Sequence, residues 1–389
     1  MRTVDLGALG LDRGAHLLVR HALAKAEVGA RVQVRGSDPA LAIHLRAWAR
    51  ARGHGFEPGP PPIVIRTSLE DGRWCGAVAA GHAARPSEQA SASWGLAARG
   101  ARVEAGLVPL EFPLATRDEI WTDDAARLYA RAAAAQWDPE TAINWAASCE
   151  LPDAVEDAVV QVMTYLIENE VAALIIPARF LARIHPHFRE ILQVLAIQAA
   201  DEARHIEVFT RRALLKRDAP GLSTVGGQSS LRTLLEEPDF ALASFLLSVL
   251  GEGSFLSLLW FLAEHGPDPI TRQITTLAAQ DEARHVAFGL SHLQQHAARE
   301  PGLRARMANA VEQRFSALQH TAGLNEEVFD ALVLLAAGSW EPEAIARGFD
   351  AVVALRQDMD RGRRTRLARL GFDAEAAERL SSLHTRNFM

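Results

Sequence analysis

Two identical pentapeptides carry the side chains in this chain that are most suited to chemistry. Asp-Glu-Ala-Arg-His occurs at positions 201–205 and again at 281–285. Each copy contains Glu-x-x-His, and residues three apart lie on one face of an α-helix, so a carboxylate and an imidazole point the same way. Two such helices facing each other would supply more than half the ligands of a dinuclear metal site in a four-helix bundle. The four candidates are Glu202, His205, Glu282 and His285.

The remaining ligands would come from one Glu on each of two further helices. An apolar segment precedes each pentapeptide, over residues 159–180 and 240–263. The second segment contains a single carboxylate, Glu252, which precedes Glu282 by 30 residues. That spacing allows about four helical turns, a loop and about four turns back to the same depth. A carboxylate inside an apolar helix is costly unless it is paired or binds a metal, so Glu252 is predicted to be a ligand.

The first apolar segment offers two carboxylates, Glu168 and Glu170. They lie about 200° apart around a helix, so only one can point inward. Leu166-Ile167-Glu168-Asn169 matches Leu250-Gly251-Glu252-Gly253 in the other segment, which favours Glu168. Glu170 stays open as the alternative, whereas Glu207 and Glu264 are predicted to lie on the surface.

These motifs resemble those of the ferritin-like di-iron carboxylate family, which includes the bacterial multicomponent monooxygenase hydroxylases, the ribonucleotide reductase small subunits and the arylamine N-oxygenases. The resemblance covers roughly residues 138–296. It implies two iron ions, with manganese or a mixed Mn/Fe pair as variants, and O₂ as co-substrate. The metal and catalytic ligands that it implies are Glu168, Glu202, His205, Glu252, Glu282 and His285.

The full Asp-Glu-x-Arg-His form is closest to the monooxygenase hydroxylases, and it implies roles for the outer residues as well. Asp201 would hold the ring N–H of His285, and Asp281 that of His205, because a ligating His donates its other N–H to a carboxylate. Arg204 and Arg284 would neutralise these two aspartates from three residues further along each helix.

Two features of relatives are missing from the sequence. Ribonucleotide reductase small subunits place a radical Tyr four residues after the first motif's His, where this chain has Phe209. The arylamine N-oxygenases carry an additional His one turn before the second motif, where this chain has Ala278. A long-range radical role and a three-histidine site are therefore not expected.

Composition indicates an ordinary globular protein that does not bind nucleic acid. The chain has 389 residues, is 49% hydrophobic and has a formal net charge of −7. It has two cysteines, Cys75 and Cys149, which form no Cys-x-x-Cys motif. Neither a zinc site nor a disulfide framework is expected, and no signal peptide is recognised, so the prediction is cytoplasmic. Residues 241–263 are apolar enough to span a membrane, but Glu252 at their centre favours a buried bundle helix.

The predicted fold class is mainly α, with a ferritin-like four-helix bundle, extra C-terminal helices and a small N-terminal α+β domain. We predict a small α+β domain over residues 1–80, a linker over 81–120 and the helical domain over 121–389. Residues 221–230 are predicted to form a crossover loop. The helices are expected near residues 152–182, 187–216, 231–265, 269–298, 300–322, 325–336 and 340–369, with a last helix from Asp373.

The N-terminal residues alternate strand and helix patterns in the order βαβαββ. Strands are predicted at Thr3–Leu6, Ala30–Arg35 and Ile63–Arg66, and around Trp74. This order resembles the small sulfur-carrier domains of the TusA/SirA type. Their reactive Cys-Pro-x-Pro should follow Gly10-Leu11, but this chain has no cysteine there. A docking or dimerisation role is therefore favoured over sulfur relay.

The functional hypothesis is a soluble O₂-dependent oxidase or oxygenase that acts on a small or carrier-tethered organic substrate. Its candidate partners are an electron donor and a second copy of the chain in a homodimer. The alternative is an iron-storage or iron-sensing protein without an organic substrate. An apolar shell would keep water from the metals and shape the substrate pocket. Its predicted members are Phe245, Phe255, Phe288, Leu166 and Ile175.

Overall fold

A computed structural model describes residues 1–67, 74, 76–318 and 326–384. The chain forms two compact units. The first comprises Met1–Pro86 and Ser91–Leu110, and the second comprises Ser87–Ala90 and Glu111–Met389. The boundary predicted near residue 120 differs from this division, because residues 91–110 belong to the first unit.

The first unit contains a four-stranded sheet in the order β1-β2-β4-β3. β1 and β2 are parallel, whereas β4 runs antiparallel to both β2 and β3. The helices pack against the sheet through an apolar core that includes Val19, Val34 and Leu45. The elements are β1 (Arg2–Asp5), α1 (Ala15–Ala24), β2 (Arg31–Arg35), α2 (Leu41–Ala51), β3 (Gly55–Glu57) and β4 (Ile63–Ile65).

The βαβαββ order is therefore present, but its last two strands are β3 and β4: β3 was not predicted, and the strand predicted third, at Ile63–Arg66, is the fourth. Residues 68–73 and 75 lie outside the described part of the chain. The segment predicted as a linker contains regular structure: β5 (Val78–Ala79) pairs antiparallel with β6 (Arg102–Val103).

The second unit is mainly helical, which confirms the predicted fold class. Long helices α6 and α7 pack along each other, and α10 packs along α11. The helices are α3 (Arg117–Ile120), α4 (Ala125–Ala134), α5 (Pro139–Ala142), α6 (Asp153–Leu181), α7 (Arg189–Ala213), α8 (Val225–Leu235), α9 (Phe240–Ser244), α10 (Gly253–His265), α11 (Pro269–Arg299), α12 (Leu303–Leu318), α13 (Glu326–Ala337), α14 (Pro342–Arg369) and α15 (Ala374–His384).

The predicted crossover loop and long third helix are wrong in detail. Residues 225–235 form the separate helix α8, which begins where the Thr224 hydroxyl accepts a hydrogen bond from the Gly227 N–H. A break follows, and Asp239 caps α9 by accepting from the Leu242 N–H. Side-chain caps at both positions explain why one apolar pattern becomes two helices.

Two apolar helical segments pass a length and composition test for crossing a membrane, Asp153–Leu181 and Phe240–His265. In their most apolar windows, 67% and 83% of the residues are buried inside the protein. Such burial is typical of core helices in a bundle.

A buried ion network joins the ends of the bundle helices. The Arg212 side chain on α7 is fully buried and donates to both carboxylate oxygens of Glu156 on α6, at 2.6 and 3.0 Å. It also donates to Asp268 at 2.9 Å and to the Thr271 hydroxyl at 3.0 Å. Because Asp268 caps α11, one guanidinium fixes the relative positions of three helices.

Replacing Arg212 with Met should destabilise the protein by about 3–5 kcal/mol, because two buried carboxylates would lose their cation. Chemical denaturation monitored by circular dichroism measures this loss. The matched control is Arg211→Met, since Arg211 is the preceding residue and makes an exposed ion pair with Glu140. The control should lose about 1 kcal/mol or less. Equal losses in the two variants would contradict the assigned role of Arg212.

Candidate metal centre

Four helical segments of the second unit bring six buried metal-ligating side chains together. They form two overlapping groups, and within each group one potential ligand atom per residue lies within 4.8 Å of the others. Glu202 and Glu282 belong to both groups. The first group is Glu170, Glu202, His205 and Glu282, and the second is Glu202, Glu252, Glu282 and His285.

Five of the six predicted ligands are in these groups, but Glu168 is not. The structure places Glu170 there instead, with 2% of its surface exposed, whereas Glu168 is only half-buried. Val171 and Ile175 follow Glu168 at positions i+3 and i+7. Both side chains are about 40% exposed. Because residues at these spacings share a helix face, the face of Glu168 is turned away from the core.

The helix phase was therefore misjudged, and the same error affects Ile175. Glu170 shares its face with Leu166 and Ala173, four residues before it and three after, and both are buried. Matching Leu166–Asn169 to Leu250–Gly253 assumed regular helix in both segments. The second segment is not regular, so the match shifted the ligand by two positions.

Glu252 ends a π-helical segment, Phe245–Glu252, that separates α9 from α10. Each π-turn adds a residue relative to an α-helix and rotates the side chains that follow, and such segments are frequent at functional sites. The carboxylate of Glu252 also accepts a hydrogen bond from Gln198 on α7, at 3.0 Å. Gln198 was not predicted from the sequence as a residue of the site.

Both imidazoles face the carboxylates through Nδ1. His205 Nδ1 lies 3.1 Å from Glu202, 3.5 Å from Glu282 and 3.6 Å from Glu170. His285 Nδ1 lies 2.9 Å from Glu202 and 3.3 Å from Glu282. In both rings, Nδ1 is therefore the nitrogen available to a metal ion.

The opposite ring nitrogens make the crossed contacts predicted from the motif. His205 Nε2 lies 3.1 Å from the Asp281 carboxylate, and His285 Nε2 lies 3.3 Å from that of Asp201. Each aspartate thus contacts the histidine of the other pentapeptide. With a carboxylate at Nε2, the Nε2–H tautomer is favoured, which leaves the Nδ1 lone pair for the cluster.

Arginine side chains neutralise the two aspartates, as predicted, and join them together. Arg204 donates to Asp201 at 2.5 Å and to Asp281 at 2.9 Å, while Arg284 forms an ion pair with Asp281. Arg204 is buried and Arg284 partly so. These contacts tie α7 to α11 directly behind the histidines.

Two further outer residues, Gln136 and Trp137, precede α5 and were missed from the sequence. Gln136 donates to Asp201 at 2.7 Å and accepts from Arg204 at 2.6 Å. The Trp137 indole N–H donates to Asp281 at 2.8 Å, and its ring stacks near that of His205 with centroids 6.5 Å apart. The sequence around Trp137 indicates only a turn and cap, so nothing in it pointed to these contacts.

Burial and mutual charge shift the pKa values of the cluster. Burial, reinforced by neighbouring carboxylates, raises the pKa of Glu170 and of Glu252 well above the ordinary value. Burial also opposes the charged form of Glu202, but the facing imidazoles hold its pKa well below the ordinary value. In the two histidines, burial favours the neutral ring, yet the surrounding carboxylates raise both pKa values well above normal.

The hydrogen bonds within the cluster do not satisfy all of its buried polar atoms, whereas bound metal ions would. Several buried atoms that face it make no hydrogen bond, and a buried polar atom without a partner is costly. They include Glu170 Oε1, Glu252 Oε2 and Glu282 Oε2. Divalent cations would satisfy these atoms, and carboxylate with imidazole is a donor set suited to iron or manganese.

Metal binding should release protons, because burial and neighbouring carboxylates raise the pKa values of Glu170 and Glu252, and the surrounding carboxylates raise those of both histidines. These pKa values are raised, so each proton is bound below the shifted pKa and competes with the metal there. Affinity for Mn²⁺ should therefore increase as the pH rises. Titration calorimetry in buffers of different ionisation enthalpy measures the protons released. Identical heats in all buffers would contradict the expectation.

A small cavity of about 20 Å³ borders the cluster. Three of the cluster's carboxylates, Glu170, Glu252 and Glu282, line it. The other walls are mainly apolar and include Leu231, Leu234, Leu247 and Phe255. Of the predicted apolar shell, Leu166, Phe245, Phe255 and Phe288 are buried, whereas Ile175 is not.

Comparison with solved structures shows which fold this bundle has. A mutant R2-like ligand-binding oxidase with an aerobically reconstituted Mn/Fe cofactor matches with a TM-score of 0.50 at 18% identity, over 64% of this chain and 94% of that one. Another mutant R2-like ligand-binding oxidase, with an aerobically reconstituted Fe/Fe cofactor, matches with a TM-score of 0.49 at 17% identity over the same shares. A Synechococcus protein with aldehyde deformylating oxidase activity has a TM-score of 0.42 at 20% identity, over 59% and 96%.

The first of these similarities establishes the fold of the helical unit. The predicted ferritin-like architecture is thus confirmed at the level of the fold. No protein-family model matches the chain, and no curated protein does.

Proposed function

We propose that this protein binds two metal ions, Fe/Fe or Mn/Fe, and activates O₂ as an oxidase or oxygenase. Its substrate would be a small or carrier-tethered organic molecule. The observation that supports this most is the pair of overlapping buried clusters with shared Glu202 and Glu282. Four carboxylates and two imidazoles could largely neutralise two divalent cations, which lowers the cost of placing them in a buried site.

The residues divide between two metal positions. Glu170 and His205 would help to hold one ion and Glu252 and His285 the other, and Glu202 and Glu282, which belong to both groups, would contribute to holding both. A bound pair of ferrous ions, or of one manganese and one iron ion, would supply electrons for the reduction of dioxygen. An external electron donor would be needed to restore the reduced pair after each cycle.

The protein residues would orient the site and keep it dry. Asp201 and Asp281 hold a proton on Nε2 of His285 and His205 and thereby fix both rings. The cavity beside Glu170 and Glu252 is large enough for one molecule the size of water or dioxygen. Its apolar walls disfavour additional water, so a bound apolar group would face the metals without competition from bulk solvent.

The test is anaerobic reconstitution followed by measurement of metal content and O₂ consumption. We expect about two ions per chain and rapid O₂ uptake by the reduced protein, which an added reductant sustains over many turnovers. Glu207→Ala is a matched control, because Glu207 is an exposed residue on α7. Accumulation of many irons per chain would instead support storage, and failure to bind metal would refute the proposal.

A further inference from the structure

A second group of buried basic side chains lies among the C-terminal helices. Arg314 on α12 and Arg363 on α14 have only 6% and 1% of their surface exposed, and His384 on α15 has 6%. Arg366, one turn after Arg363, is partly buried. None of these residues belongs to the metal centre.

Two of the arginines bind the segment that carries Glu252. Arg366 donates to the carbonyl oxygen of Val249 at 2.7 Å. Arg363 donates to the Ser254 hydroxyl at 3.1 Å and to that of Ser381 at 3.0 Å. Since Val249 and Ser254 lie on either side of Glu252 in sequence, the basic cluster directly contacts the π-helical segment of the metal centre.

Arg314 differs because its charge is left without a carboxylate. Its Nη2 donates to the Ser230 hydroxyl at 2.5 Å, whereas its buried Nη1 has no hydrogen-bond partner. Within the described residues, no carboxylate forms an ion pair with Arg314. Burial lowers its pKa to about 10, so the side chain remains positive at neutral pH. A buried guanidinium without an anion is costly, which indicates that an anion normally compensates it.

Two neutral donors accompany Arg314. The phenol oxygen of Tyr165 on α6 and Nε2 of His384 are buried, and neither has a hydrogen-bond partner. Burial raises the pKa of Tyr165, and Arg314 opposes this shift, so the two groups are close enough to interact. Burial, followed by the charges of Arg314, Arg363 and Arg366, holds the pKa of His384 well below its usual value, so the ring is neutral.

Two of these donors are connected to residues that line the cavity of the metal centre. Ser230, the partner of Arg314, immediately precedes Leu231, which lines that cavity. The Tyr165 ring packs against Phe255, another lining residue, with centroids 5.8 Å apart.

We propose that Arg314, Tyr165 and His384 form a binding site for the carboxylate of an organic acid beside the metal centre. A permanent cation, a phenol O–H and a neutral imidazole in the tautomer with its proton on Nε2 together match a carboxylate, which accepts several hydrogen bonds. The carboxylate would belong either to the substrate, which rests on the proposed function, or to a separate small acid. The carboxylate chemistry is the same in the two cases.

Thermal unfolding of the full chain, with and without metal, tests this proposal. The probes are sodium butanoate, sodium acetate and 1-butanol, with sodium chloride at matched ionic strength. Both carboxylates should raise the melting temperature in the metal-free and Mn²⁺-loaded forms, whereas the alcohol and chloride should not. Butanoate that binds roughly tenfold more tightly than acetate would assign the site to a substrate with an apolar tail. Equal binding would assign it to a small free acid.

Three variants separate ligand binding from folding. Arg314→Met should weaken butanoate binding by about tenfold or more, since a charge-assisted hydrogen bond is lost, while the unliganded protein should be as stable or more so. Tyr165→Phe removes only an unpartnered hydroxyl, so it should fold normally and bind butanoate more weakly. Arg361→Met, at an exposed arginine on α14, should leave binding unchanged.

Two outcomes would refute the carboxylate site but would not contradict the proposed O₂ activation at the metal centre. One is the absence of any carboxylate-dependent shift. The other is a shift that requires Mn²⁺ and survives in Arg314→Met, which would mean that the carboxylate binds the metal. Conversely, a shift in the metal-free chain that Arg314→Met abolishes would support the anion site even if the protein failed to activate O₂.

Discussion

Glu202→Ala should lower the metal content of the reconstituted protein from about two ions per chain to well below one. The reason is that Glu202 belongs to both ligand groups, so its loss removes a donor from each metal position at once. The variant would also leave His205 and His285 without their nearest carboxylate. Metal content measured by mass spectrometry after anaerobic reconstitution gives the answer, and O₂ uptake should fall in parallel.

Two further variants, one at Glu282 and one at Glu207, show whether the effect of Glu202→Ala is specific to the shared carboxylates. Glu282 is shared in the same way, so Glu282→Ala should behave like Glu202→Ala. Glu207→Ala changes an exposed carboxylate on the same helix and should retain both ions. Circular dichroism must show that each variant remains helical. Retention of two ions by the Glu202 variant would show that the shared carboxylate does not bridge the metals.

Glu170→Ala and Glu168→Ala should give opposite results although the residues are two positions apart. Glu170 lies in the group with His205, so its loss should release the ion at that position and leave the other ion bound. Glu168 is half-buried outside both groups, so its replacement should retain both ions. The measurement is metal content per chain, combined with the spectroscopic signature of a single ion or of a coupled pair.

Each result for this pair has a clear meaning. Loss of an ion from the Glu168 variant, with both retained in the Glu170 variant, would restore the sequence-based choice and refute the helix phase seen here. Unfolding is not expected for Glu170→Ala, because this side chain is costly to bury without a metal. Its carboxylate oxygen Oε1 has no hydrogen-bond partner to lose.

The sequence predicted the positions of the site side chains correctly where those side chains lie on a regular α-helix. Glu202 and His205, and likewise Glu282 and His285, lie on one face because three residues make nearly one α-helical turn. The crossed contacts of Asp201 and Asp281 involve the same repeat, because each aspartate contacts the histidine of the other copy. Here the sequence and the structure agree in every residue.

The pattern failed where the helix is irregular or where partners are distant in sequence. The choice of Glu168 relied on an alignment with the segment before Glu252, and that segment is π-helical. A π-helix shifts the angular position of each later side chain, and no residue in the apolar run signals it. Likewise, the contacts of Gln136 and Trp137 with the aspartates span more than 60 residues.

The sequence by itself determined which residue types can form a dinuclear centre and which helices carry the two Glu-x-x-His motifs, because helical periodicity is a local property. Only the tertiary structure decided that Glu170 replaces Glu168, that Glu202 and Glu282 are shared, and that Arg314 is buried with no carboxylate paired to it among the described residues. These features depend on how helices are rotated and packed against one another. Packing is set by the combined fit of many side chains and cannot be read from one segment.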